Sequence, residues 1–135
     1  MSKEVVESKK LPPRAAPYSH AFKVKGGTLL FISGQVPVDA SGTVVSPGDF
    51  EAQALMVFEN LKLVVEEAGG TASNIFKVTV LLTDQSQWKP FSKLRERVFK
   101  QWGMKHPPAS TLLIVKALAK PEWMVEVEAI ALLRK

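Results

Sequence analysis

The chain contains no cysteine. That excludes a disulfide framework, a thiolate nucleophile and a cysteine metal site, and it leaves the redox compartment unmarked, so a reducing cytoplasm is the expected location. Only two histidines are present, and no acids stand at ligand spacing from them, so no metal is expected. Apolar runs approaching the roughly 18 residues of a membrane span are absent as well. The first residues, MSKEVVESKKLPPRAAP, lack the apolar segment of a secretory signal, and their two glutamates fit poorly with an organelle transit peptide. Mixed charge and Pro12-Pro13 predict a flexible leader over residues 1–15, followed by a single domain over residues 16–135.

The 135 residues, 46% hydrophobic and 23% charged, suffice for one domain with a real core. A net charge of +5 raises the question of nucleic acid, but the ends carry most of it. Residues 1–14 hold four cations against two acids, a net +2, and Arg134 with Lys135 add +2, leaving 5 − 2 − 2 = +1 for residues 15–133. The densest basic group, Lys89, Lys93, Arg95, Arg97 and Lys100, reads as the solvated side of an amphipathic helix rather than a phosphate-binding face.

The chemistry-bearing stretch is the C-terminal quarter, HPPASTLLIVKALAKPEWMVEVEAIALL. Two apolar runs there read as adjacent strands, separated by a turn at Lys120-Pro121-Glu122. Period-2 alternation puts Glu126, Glu128, Ile130 and Leu132 on one face of the second run, and Val125, Val127, Ala129, Ala131 and Leu133 on the other. An acid embedded in such a run marks the boundary between a core and a cleft. A carboxylate buried beside apolar residues is expected to hold its proton above the usual range, which suits general acid–base work.

Upstream, Ala21–Lys25 alternates like a short strand, and Gly26-Gly27 reads as a hairpin turn into Thr28–Gln35. The glycine of Ser33-Gly34 within that strand predicts a bulge or a close approach. Asp49 caps a predicted helix to about Ala68, with the stripe Ala54, Phe58, Leu61, Val65 and Ala68 and a Gly69-Gly70 stop. Residues 74–83 read as a third strand. Trp88, Phe91, Leu94, Val98 and Trp102 then mark a second amphipathic helix, with Trp88 the aromatic residue placed to face a pocket. The order β-β-α-β-α-β-β predicts an α+β layer, one sheet with both helices on one face, whose other face is covered by self-association.

With these blocks in view, the chain resembles the RidA (reactive intermediate/imine deaminase A) family, also called YjgF or L-PSP. The likeness runs through APYSHAF, FISGQVPVD, DFEAQALMVFENLKLVVEEAG, KVTVLLTD and VEVEAIA, spread over residues 16–133. The resemblance implies a chorismate-mutase-like fold, a homotrimer with an inner β-barrel, and clefts between subunits. It also implies cofactor-free hydrolysis of reactive imines and enamines to keto compounds and ammonia. By the same resemblance Glu128 positions the attacking water, and Tyr18, Ser33, Gly34 and Trp88 line the cleft. The chain departs from the family at two positions. Where the family reads P-A-R-S or P-A-R-T, Pro108-Ala109-Ser110-Thr111 stands here, so Ser110 replaces the arginine that grips the substrate carboxylate; Ser92 likewise replaces a frequent asparagine.

A serine hydroxyl cannot replace a planar cationic fork, and the missing charge-assisted contact is worth about 1.5–3 kcal/mol. Lys116 shares the alternation parity of Ser110 but stands six strand residues away, roughly 20 Å. Lys105, His106 and His20 remain as substitutes from a neighbouring subunit. Three functions follow as expectations: a deaminase whose Ser110 and Thr111 receive a non-standard substrate, a non-catalytic trimer that binds a metabolite or a protein, and, with weaker support from charge placement, an endoribonuclease.

Overall fold

The computed structural model describes residues 1–134; Lys135, the last residue of the expected domain, lies outside them. In chain order the elements are β1 (Ser2–Val6), β2 (Ala21–Lys25), β3 (Thr28–Gln35), α1 (Phe50–Glu67), β4 (Ile75–Leu82), α2 (Trp88–Gln101), β5 (Ala109–Ile114) and β6 (Val125–Leu133). Both helices lie on one face of a mixed sheet with strand order β3-β6-β4-β5, the α+β layer expected from the sequence.

The helix boundaries follow their capping chemistry. Asp49 accepts a hydrogen bond from the Ala52 N–H at 3.1 Å, closing the first turn of α1, and Gly69 at φ +90° ends it in the left-handed region. Ala54, Phe58, Leu61 and Val65 of the predicted stripe are buried, while Ala68 is exposed at the cap. Phe91 stacks on Phe58 at 5.7 Å between ring centroids, which joins α2 to α1. Beneath them Val78, Val80 and Leu82 of β4 and Val125, Val127 and Ala129 of β6 form the sheet side of the core. Gln53, buried in α1, donates to the Glu122 carbonyl and accepts from the Met124 N–H, each at 2.9 Å, and so fixes the entry into β6.

Strand pairing differs from the sequence expectation in three places. First, β5 and β6 are not neighbours, because β4 lies between them, parallel to β5 and antiparallel to β6. The cause is the β4-α2-β5 crossover: a helix joining two strands on one side of a sheet returns the chain parallel to its start, and β6 then takes the other edge of β4. Second, Gly26-Gly27 links β2 to β3 without pairing them. Instead β2 pairs with β1, and β3 pairs with β6 along most of its length. Third, the segment expected to be a loose leader supplies β1, whose Val5 stands opposite Phe22.

Gly27 also yields a stability prediction. Its φ is +69°, and a Cβ there would overlap the Leu133 carbonyl oxygen; Gly69, with φ +90°, has nothing within 4 Å of the same point. Gly27→Ala is expected to cost about 1–3 kcal/mol and to exceed Gly69→Ala, because the second substitution meets only backbone strain. Urea midpoints at unchanged slope measure both.

Candidate functional site

Strand β6 places its acids as the alternation requires. Val125, Val127, Ala129 and Ala131 are buried toward the helices, while Glu126, Glu128 and Ile130 turn to the face without helices. Glu128 stands opposite Thr79 of β4, and Glu126 opposite Leu81. Across the other flank, β3 presents Leu29, Phe31 and Ser33 on that same open face, with Phe31 opposite Ile130.

At Ser33-Gly34 the β3–β6 register shifts, the bulge predicted from the glycine. A Cβ on Gly34 would overlap Glu126 Oε2, so the glycine makes room for that carboxyl group. Burial, and secondarily the charge of Glu128, push the Glu126 carboxyl above its ordinary range. The acid held up in this way is therefore Glu126. Glu128 is exposed in the single chain rather than buried as the sequence pattern implied, because nothing in the chain covers the open face.

The expected site residues fall into separate groups. Ser33 and Glu128 line one concavity of about 410 Å³, together with Phe31, Lys77, Thr79 and Ile130. Ser110 and Thr111 line a second, of about 380 Å³, with His20, Phe22, Lys77 and Ile130. Tyr18 lines a third, of about 620 Å³, against Arg14, Pro17, His20 and Pro107. Trp88, half-buried at the start of α2, lines none of the three.

The separation is topological. β3 and β5 are opposite edges of the four-stranded sheet, so Ser33-Gly34 and Ser110 stand three strand spacings apart, about 14 Å. Tyr18 belongs with the β5 edge: Ser19 N–H donates to the Pro108 carbonyl at 3.0 Å and Ser19 Oγ to the Pro107 carbonyl at 2.5 Å, anchoring the segment beside Ala109.

Two cations at the site escaped the sequence reading. Lys77 lines both of the first two concavities and donates to Thr111 Oγ1 at 2.9 Å. Burial lowers its ammonium pKa, an effect that the Glu128 charge partly offsets. Arg95 is the larger correction. Expected on the solvated side of α2, it is 2% exposed, and its Nη1 donates to Ser110 Oγ at 3.0 Å. It lies four residues after Phe91 and three before Val98, on the buried stripe; its four basic companions, Lys89, Lys93, Arg97 and Lys100, are exposed as expected. Of the two histidines considered as substitutes, His20 is engaged elsewhere, its Nδ1 2.9 Å from Glu7 Oε2.

The family model described as Endoribonuclease L-PSP matches residues 8–133. A RutC family protein of Pyrococcus abyssi is 37% identical over 131 residues, covering 97% of this chain and 98% of its own. The chain belongs to the RidA/YjgF/L-PSP family. A Rid-family protein of Yersinia pestis, YyfB, superposes with a TM-score of 0.88 at 30% identity, over 98% of this chain and 100% of its own. E. coli TdcF, solved with bound serine, gives 0.72 at 30% identity over 96% of this chain and 98% of its own. Against this Rid background the departure at Ser110 gains a structural counterpart, since an arginine does reach that position, from α2 instead of β5. Among the described residues no helix is long and apolar enough to cross a membrane.

Proposed function

We propose that this Rid chain is a cytoplasmic homotrimer with an inner β-barrel, whose inter-subunit clefts hydrolyse a small imine or enamine to a carbonyl compound and ammonia. The observation that carries this reading is the shared concavity of Ser33 and Glu128 on an open apolar sheet face. An enamine first tautomerises to its imine. Glu128 takes a proton from water as the oxygen adds to the C=N carbon and passes it to the nitrogen, giving a neutral carbinolamine; as this collapses to C=O, its hydroxyl proton passes by way of Glu128 to the amine, which leaves as ammonia. Ser33 and the Gly34 backbone supply hydrogen bonds. Lys77 lines the same concavity and holds positive charge beside the acid. The β5-edge residues Tyr18, Ser110 and Thr111 of one subunit meet the β3 edge of the next, which the 14 Å separation within one chain requires of a single site.

A second reading, a non-catalytic trimer that binds a metabolite or a protein, is favoured by Ser110 at the family's arginine position. The nucleolytic activity in the family model's description gains no support from a body carrying net +1 over residues 15–133.

The deciding assay generates 2-aminoacrylate with a PLP-dependent dehydratase and follows ammonia or keto-acid release, with a neutral imine in parallel. The catalytic reading expects release faster than spontaneous hydrolysis for at least one of the two. Rates equal to the spontaneous ones for both, with ligand binding retained, establish the binding trimer instead.

A further inference from the structure

Lys77 is held on the open face of the sheet by a single side-chain bond. Its Nζ donates to Thr111 Oγ1 at 2.9 Å, and among the described residues no carboxylate forms an ion pair with it. The strand registers place its surroundings. Thr79 of β4 stands opposite Thr111 on one side and opposite Glu128 on the other, so the three form a row across β5, β4 and β6. Lys77, two residues before Thr79, shares its face and reaches along the strand to that row. Neighbouring strands lie about 4.8 Å apart, which separates the backbones at Thr111 and Glu128 by roughly 10 Å. The amine is moored at the Thr111 end, the carboxylate rises from the other, and the short Thr79 side chain lies between. Lys77, Thr79 and Glu128 all line the 410 Å³ concavity, together with Ser33.

An amine and a carboxylate that face one cavity without closing into an ion pair are suited to carbonyl chemistry. A tight pair would lock the nitrogen as ammonium. Here burial lowers the ammonium pKa, and the Glu128 charge offsets that only in part. Once it loses a proton the nitrogen carries a lone pair, and the bond to Thr111 Oγ1 orients the group that bears it. Partly desolvated lysines of this kind condense with carbonyl compounds.

We propose that Lys77 is a covalent carbonyl-capturing residue, whose Nζ forms a reversible Schiff base with a small ketone or aldehyde lodged between it and Glu128. The ammonium first gives a proton to the Glu128 carboxylate. The Nζ lone pair then adds to the carbonyl carbon as the C=O π pair moves to oxygen, and a proton passes from nitrogen to that oxygen, giving a carbinolamine. Glu128 returns its proton to the hydroxyl, which leaves as water while the nitrogen lone pair closes the C=N bond. The product iminium keeps one N–H and the single positive charge with which Lys77 began, so no oxidant or reductant is needed. Addition of water reverses every step. The inference goes beyond the deaminase reading, since it requires only that the concavity admit a small carbonyl compound; in a deaminase, the compound captured is the carbonyl product.

The test incubates the full chain with hydroxyacetone, and separately with pyruvate, in the presence of sodium cyanoborohydride, which reduces the iminium to a stable secondary amine. Peptide masses then locate the adducts. With at least one probe, wild type is expected to gain an adduct at Lys77 about tenfold or more faster than at the exposed Lys93 and Lys116, because only at Lys77 is the carbonyl held in place. This comparison among lysines of one chain needs no variant to fold. Lys77→Arg keeps a cation able to bond Thr111 but offers no nucleophilic lone pair, so the fast adduct should vanish while Lys93 and Lys116 react as before. Glu128→Gln cannot carry the proton and should slow labelling of Lys77 by about a hundredfold.

Labelling of Lys77 no faster than of Lys93 with both probes overturns the proposal. So does a fast adduct that persists in Lys77→Arg, or labelling of Lys77 at the wild-type rate in Glu128→Gln. An unlabelled Lys77 in a chain that hydrolyses either imine above the spontaneous rate sinks this inference and leaves the deaminase reading standing. A labelled Lys77 in a chain that hydrolyses neither sustains the capture and removes the deaminase reading.

Discussion

Glu128→Gln is expected to lower imine hydrolysis by about a hundred- to ten-thousandfold, the range by which positioned acid–base groups contribute. Glutamine keeps the shape of the side chain but cannot take up a proton. The loss should appear in kcat, with ligand affinity little changed, because the carboxylate acts on water rather than on the ground-state substrate. Folding should be unaffected: Glu128 is exposed, and among the described residues its carboxylate makes no hydrogen bond or ion pair that the substitution would break. An equal Tm with a collapsed rate therefore separates chemistry from structure. Glu126→Gln is the informative control. That carboxyl lies over Gly34 on the same face, one alternation step away, and its pKa is already raised by burial, so removing its charge should change the rate far less. If Glu126→Gln lost the larger share of activity, the water-positioning role would belong to Glu126.

The faces of β6 could be read in advance because strand alternation depends only on local geometry, and the buried Val125, Val127 and Ala129 against the outward Glu126 and Glu128 followed from it. The bulge at Ser33-Gly34 was legible for the same local reason. Strand neighbours were not. Whether β6 pairs with β5 or β4 depends on the crossover through α2, a contact between segments far apart in sequence, and no turn signal encodes it. Gly26-Gly27 misled because two glycines fix only a local change of direction, whereas pairing depends on which strand offers the longer ladder. Arg95 was within reach. Its position four residues after Phe91 put it on the buried side of α2, but residue type outweighed periodicity, and a basic residue beside Lys93 and Arg97 was assigned to solvent. What no single sequence shows is that its guanidinium ends at Ser110, since that needs the parallel register of β4 and β5, Val78 against Ser110, to bring the β5 edge beneath the helix.

Phe31→Arg should convert a trimer into monomers and abolish hydrolysis with it. Phe31 is 70% exposed in the single chain, on β3 opposite Ile130, and Leu29 two residues earlier is 46% exposed. Fully burying a side chain of this size contributes about 1.5–3 kcal/mol, and a threefold assembly collects that once per subunit. An arginine in its place reverses the sign: the apolar contact is lost and three guanidinium groups must be desolvated at the interface, a cost exceeding the gain they replace even where one meets Glu128 of its own concavity. Sedimentation is expected to fall from about three chain masses to one. Each chain should stay folded, because the helix-side core of Val78, Val80, Val125 and Val127 lies on the opposite face of the sheet. Hydrolysis should disappear in parallel for a topological reason, since Ser33-Gly34 and Ser110 occupy opposite edges and the proposed site joins the β3 edge of one subunit to the β5 edge of the next. A Phe31→Arg chain that still sediments as a trimer would place the interface elsewhere than on the β3 face. A monomeric Phe31→Arg chain with undiminished turnover would show that Glu128 and the residues of its own concavity suffice without the β5 edge of a partner.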